Sequence, residues 1–141
     1  MKRKYTIYLM LLLLCLVLSA PAIAQNKWIL VQGGTWVPSM ELLSDLKVQL
    51  QPYVMNESKN QRNPITDFHD YSYQLQGQEE NGNEFIFINA FCETPKEWSL
   101  DKEMLIVFDG GKCYFTLKYD KNKRVFYQLI INGEAYERTG T

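Results

Sequence analysis

The chain has 141 residues, 15 basic and 16 acidic, and a formal net charge of −1. That balance excludes the basic stripe that phosphate backbones require, and the size sets one domain able to bury a core of its own. Phe, Tyr and Trp make up 13% of the residues, too much large apolar surface for a disordered chain.

Lys2, Arg3 and Lys4 precede an uncharged, Leu-rich run from Tyr5 to Ile23. A basic start followed by an apolar stretch is the layout of a secretory signal, and Ala22-Ile23-Ala24 supplies the small-x-small cleavage pattern. Cleavage is expected between Ala24 and Gln25, so that residues 1–24 are a signal peptide and residues 25–141 a single exported domain. As an uncleaved anchor the run would approach the roughly 20 apolar residues of a spanning helix, and the basic cluster would still leave the rest of the chain outside the cytoplasm. The working part is therefore expected to be periplasmic or secreted, with no membrane contact beyond the signal segment. Cleavage removes three of the 15 basic residues and none of the 16 acidic ones, leaving −4 on the exported part. Nucleic acid is not an expected partner.

Cys92 and Cys113 are the two cysteines that remain after cleavage. In an oxidising compartment such a pair is expected to form a disulfide.

Trp28-Ile29-Leu30-Val31 reads as a short edge strand stopped by a turn at Gly33-Gly34. Ser39 is placed to cap a helix. Leu42, Leu43, Leu46, Leu50 and Tyr53 recur at helical spacing on one stripe, and Pro52 is expected to end the helix near residue 51 or kink its last turn. Residues 55–66 read as a polar loop.

Beyond that loop the chain is strand-like. Tyr71, Tyr73 and Leu75 alternate with polar residues, and Asn81-Gly82 has the readiness for positive φ that a tight hairpin needs. Further strands are expected at Glu84–Cys92, Met104–Phe108, Cys113–Tyr119 and Val125–Ile131, and a short last segment at Glu134–Arg138 turns away. The expected fold class is α+β: one N-terminal amphipathic helix packed on a four- to five-stranded antiparallel meander sheet. This order resembles the layout of cystatin-like folds in topology alone, and the Gln-x-Val-x-Gly inhibitory loop is absent, Gln74-Leu75-Gln76-Gly77 lacking its spacing.

Phe85, Phe87 and Phe91 fall on one face of the Glu84–Cys92 strand and Ile86, Ile88 and Ala90 on the other, so both faces need covering. One helix covers one face. The Trp28 segment, the 55–66 loop or another protein is expected on the second.

Catalytic signals are sparse. His69, flanked by Asp67 and Asp70, is the candidate for a small extracytoplasmic enzyme, but one His falls short of a zinc ligand set. Glu79, Glu80 and Glu84 cluster at a hairpin tip without the spacing of a calcium loop. No cofactor or metal is expected, and no elbow, zinc or phosphate-loop motif is present. Trp36 beside Gly33 and Gly34, and the loop residue Trp98, are the candidates for recognition, since exposed Trp residues dominate binding energy when placed centrally. The leading expectation is a small binding or inhibitory module that contacts another protein, or a second copy of itself, through an apolar sheet face. An enzyme or an envelope-associated structural protein are the alternatives.

Overall fold

The computed structural model describes residues 27–68, 70–94 and 98–133. The expected signal peptide, its expected cleavage site between Ala24 and Gln25, and the expected Glu134–Arg138 segment lie outside them. Strand β1 (Trp28–Leu30) leads to helix α1 (Met40–Glu57), and four strands follow: β2 (Ser72–Glu80), β3 (Asn83–Phe91), β4 (Tyr114–Asp120) and β5 (Phe126–Ile131). They form one five-stranded sheet in the order β1-β2-β3-β4-β5. The pairs from β2 to β5 are antiparallel, and β1 joins β2 in parallel. The fold is thus α+β, a single helix on a meander-like sheet.

Ser39, in extended backbone conformation, accepts a hydrogen bond on its hydroxyl from Leu42 N–H (3.2 Å) and caps the helix as its sequence position implies. The helix runs past residue 51, with Pro52 inside it. Pro52 and Val48 are both exposed, so the carbonyl left without a helical donor lies on the solvent side, while Leu50 and Val54 anchor the helix on either side of it.

The stripe Leu42, Leu43, Leu46, Leu50 and Val54 packs on Tyr73, Leu75, Ile86, Ile88, Ala90, Phe115, Leu117 and Tyr119 from three strands, with Phe126 from the fourth. Aromatic rings knit this layer, Tyr71 and Tyr73 meeting Phe115 edge to face. The polar stretch 55–66 belongs to this layer too. Ile65 is buried in it, and Ile65 N–H donates to the buried Ser58 hydroxyl (3.1 Å). It does not serve the second face.

Strand β5 keeps its apolar side chains on the helix layer only because a bulge shifts its register. Thr116 faces Ile130 and Lys118 faces Tyr127, so two residues of β5 oppose one of β4, and Gln128 sits at φ 52°. The extra residue lets Phe126, Leu129 and Ile131 all pack inward.

The segment 104–108, expected as a ladder strand, joins no strand in the sheet. It crosses the second face instead, and the fifth strand of the sheet is β1. The hydrogen bonds that hold the segment in this place come from polar side chains on the sheet face, which a periodicity argument does not weigh.

Candidate functional site

The second face of the sheet can be read from its register as rows of cross-strand neighbours. Gln74, Asn89, Thr116 and Ile130 form one row; Gln76, Phe87, Lys118 and Tyr127 form the next; Gln78, Phe85 and Asp120 form the third. Among the described residues a segment of chain crosses the first row, and none crosses the other two.

The roof is a strap, residues 98–108. A small apolar cluster of Ile29, Phe91 and Leu105, with Leu100, Val107 and Tyr114 against it, fixes it to the sheet. Two amides buried in the row beneath it supply the rest. Gln74 is 0% exposed and Asn89 4%. Gln74 Nε2 donates to the carbonyls of Leu100 and Glu103 (2.7 Å each). Gln74 Oε1 accepts from Leu105 N–H (2.8 Å) and from Asn89 Nδ2 (3.1 Å). Asn89 Nδ2 also donates to the Leu105 carbonyl (2.6 Å), and Asn132 Nδ2 donates to that of Val107. The Gln74 amide thus uses both donors and both lone pairs, so its burial carries no penalty for an unmade bond. Together these amides grip the backbone of the strap from the turn at Leu100 and Glu103 to Val107.

The base of the strap is tied covalently. Cys92 and Cys113 form a disulfide between the end of β3 and the start of β4, with Cα atoms 5.1 Å apart, and Cys92 N–H donates to the Cys113 carbonyl (3.0 Å).

The open rows are covered by their own side chains. Phe85 is only 4% exposed because Lys118 Nζ stands 4.5 Å from its ring centre and Tyr127 meets it edge to face. Lys118 is held there by Glu80 (3.1 Å). Long stems lying on apolar surface with their charges in water can do the work of a covering element. Beside these residues, toward the turn between β4 and β5, lies a cleft of about 440 Å³ bordered by Asn81, Lys123, Val125 and Gln128. Burial pushes the Tyr127 phenol up, Lys118 pulling the other way. Around the strap three large apolar side chains face solvent: Ile106 is 66% exposed, Phe108 84% and Ile130 61%.

The residues singled out from sequence fall in different places. Trp36, Gly33 and Gly34 come together at the β1 edge, lining a smaller cleft of about 180 Å³ with Leu30, Val37 and Pro38. Trp36 extends that edge: it bridges to Gly77, its Nε1 donates to the Gln78 carbonyl (2.9 Å), and Lys121 Nζ lies 4.7 Å from its ring. Gly77 permits the crossing, since a Cβ there would meet the Trp36 carbonyl at 2.3 Å and its ring at 3.0 Å. Trp98 is not part of this group. It sits in the first turn of the strap, half exposed, where Gln32 N–H donates to the Asp101 carbonyl (2.9 Å).

His69 lies outside the described residues. Its neighbour Asp67 adds to the burial that raises the Tyr71 phenol to about 12. The hairpin acids are paired with lysines: Glu80 with Lys118, and Glu84 with Lys121. Among the described residues no cluster of His, Cys, Asp and Glu is arranged to hold a metal ion, and no helix is long and apolar enough to cross a membrane. No protein-family model, curated protein or solved structure matches the chain. The functional reading therefore rests on the site itself.

Sequence reasoning passed over Gln74, Asn89 and Asn132. A signal was present for Asn89, a lone amide inside the apolar run Phe85-Ile86-Phe87-Ile88-Asn89-Ala90-Phe91. Such a residue must find a partner once the strand is buried.

Proposed function

We propose that this protein is a small exported binding module that acts outside the cytoplasm and engages another polypeptide through the second face of its sheet. The observation that carries this reading is the contrast between the amides of Gln74, Asn89 and Asn132, which hold the strap's backbone, and the apolar side chains Ile106, Phe108 and Ile130 left in solvent beside it. Large apolar side chains left in solvent on one side of a sheet are the composition of a recognition surface. The signal-like N-terminus and the disulfide support the compartment, since such bridges persist where the medium is oxidising.

The test is site-specific photo-cross-linking. A photoreactive phenylalanine is placed at Ile106, at Ile130, or at the exposed helix residue Val48, and each protein is irradiated with the extracytoplasmic fraction of the cells that make it. Polypeptide adducts at Ile106 and Ile130 and none at Val48 are expected. Adducts of twice the chain mass would make the partner a second copy. Equal labelling at all three positions, or none, would sink the reading.

A further inference from the structure

The strap has two edges, and among the described residues only one is used. In an extended chain the N–H and C=O of one residue point to one side and those of the next residue to the other. Leu105 sends both its N–H and its C=O down to Gln74 and Asn89, and Val107 sends its C=O down to Asn132. The backbone groups of Met104 and Ile106 therefore point away from the sheet, and they have no hydrogen-bond partner among the described residues. The strap stands on the sheet like a strand on edge, its outer edge flanked by the exposed side chains of Ile106 and Phe108. Natural sheets blunt such edges with charge, Pro or a bulge. None of these interrupts Met104–Phe108.

We infer that the outer edge of the strap at Met104–Phe108 is a docking site for strand addition, taking an extended polypeptide with alternating apolar residues and basic residues at its ends. This rests on the reading that the second face binds a polypeptide, and it names the mode and the kind of ligand. Backbone donors and acceptors presented in alternation select a polypeptide, and Ile106 and Phe108 select apolar side chains beside them. The ends of the strap set the charge. Asp101, Glu103 and Asp109 flank it, exposed and without an ion pair among the described residues, and Lys102 is the sole basic residue between 101 and 109. A second copy is a poor occupant. Antiparallel self-pairing centred on Ile106 sets Glu103 against Asp109, parallel pairing sets each against itself, and like charges directly opposite are destabilising.

The experiment uses the full chain, fluorescently labelled, on an array of immobilised heptapeptides of the form Lys-Val-Thr-Val-Thr-Val-Lys. One companion set carries Glu at both ends, and another is N-methylated at alternate residues. The Lys-ended peptides are expected to bind best, and N-methylation in the register that faces the strap is expected to weaken binding roughly tenfold or more by removing its backbone bonds. Ile106→Pro deletes an N–H that nothing among the described residues accepts, so the fold should tolerate it, and binding should fall as with the methylated peptides. The surface double variant Glu103→Lys/Asp109→Lys should reverse the preference to Glu-ended peptides.

Binding that is indifferent to N-methylation and to Ile106→Pro, or no binding to any peptide, overturns strand addition. Photo-cross-links at Ile130 that survive either result leave the second face as a polypeptide surface of another kind, and their loss removes that reading as well.

Discussion

The two faces of this sheet are closed by different chemistry. On the helix side Leu46, Leu50 and Val54 meet Ile88, Phe115 and Leu117, and little but hydrocarbon and aromatic rings lies between the layers. On the strap side three buried apolar residues share the contact with two buried amides, and among the described residues no element covers the rest of the face. The consequence is mechanical. Lifting the helix would expose a continuous apolar surface, whereas lifting the strap would expose a small apolar cluster and hand Gln74 and Asn89 to water, which satisfies them. One face holds the fold together, and the other is the face proposed for recognition.

The most damaging change should be on the helix side. Leu46→Ala is expected to cost about 4 kcal/mol in urea unfolding, and Leu105→Ala under the strap about 2 kcal/mol, because a movable strap can close over the lost volume. Equal losses would break the comparison. Replacing both cysteines, Cys92→Ser and Cys113→Ser, should cost about 3 kcal/mol by the chain-entropy argument for a closed loop spanning a sequence separation of 21. Faster hydrogen exchange in residues 98–108 than at Ile88 would place that loss on the strap side.

Gln74→Ala leaves the Leu105 N–H and two strap carbonyls without their partner. It should cost about 1–3 kcal/mol and speed exchange of the Leu105 amide while leaving that of Ile88 unchanged. If the Ile88 amide responds equally, the strap is not a separate unit.

Alkaline titration gives a smaller effect. Burial first, and Asp67 second, hold the Tyr71 phenol at about 12 in the folded protein against an ordinary value of 10.0, and burial raises Tyr73 as well. A raised folded value means that the unfolded chain loses its proton first. The contribution is therefore intact below pH 10 and drains away as pH rises toward 12. Tyr71→Phe should flatten that decline in Tm between pH 10 and 12, and an unchanged slope would assign the decline to other groups. Ile130→Asp should leave stability within about 0.5 kcal/mol by urea unfolding while abolishing photo-cross-linking from Ile106. A large loss of stability would show that Ile130 supports the fold after all.

Much of the framework was legible because it depends on neighbours in sequence. The Ser39 cap, the leucine stripe and the Asn81-Gly82 turn with both residues at positive φ all arise from local pattern, and the pairing of Cys92 with Cys113 followed from cysteine count. The length of the helix was not legible, because Pro52 is tolerated only where its missing bond faces water. The strap was missed for a related reason: Met104–Phe108 is as apolar as a ladder strand, and its pattern carries no record of whether its backbone bonds go to another strand or to side chains.

The candidate site divides in the same way. Trp36, Gly33 and Gly34 do share one edge, as their spacing implies, but Trp98 belongs to the strap, 62 positions along the chain from Trp36. By itself the amino-acid sequence determined the periodicities, the turns and the charge balance, since these depend on residues a few positions apart. Only the tertiary structure decided which of two apolar faces the helix took, and which the strap half covered. That choice depends on Gln74, Asn89 and Asn132 meeting the backbone of residues 100–107, groups far apart in the chain whose bonds exist only once the sheet has formed.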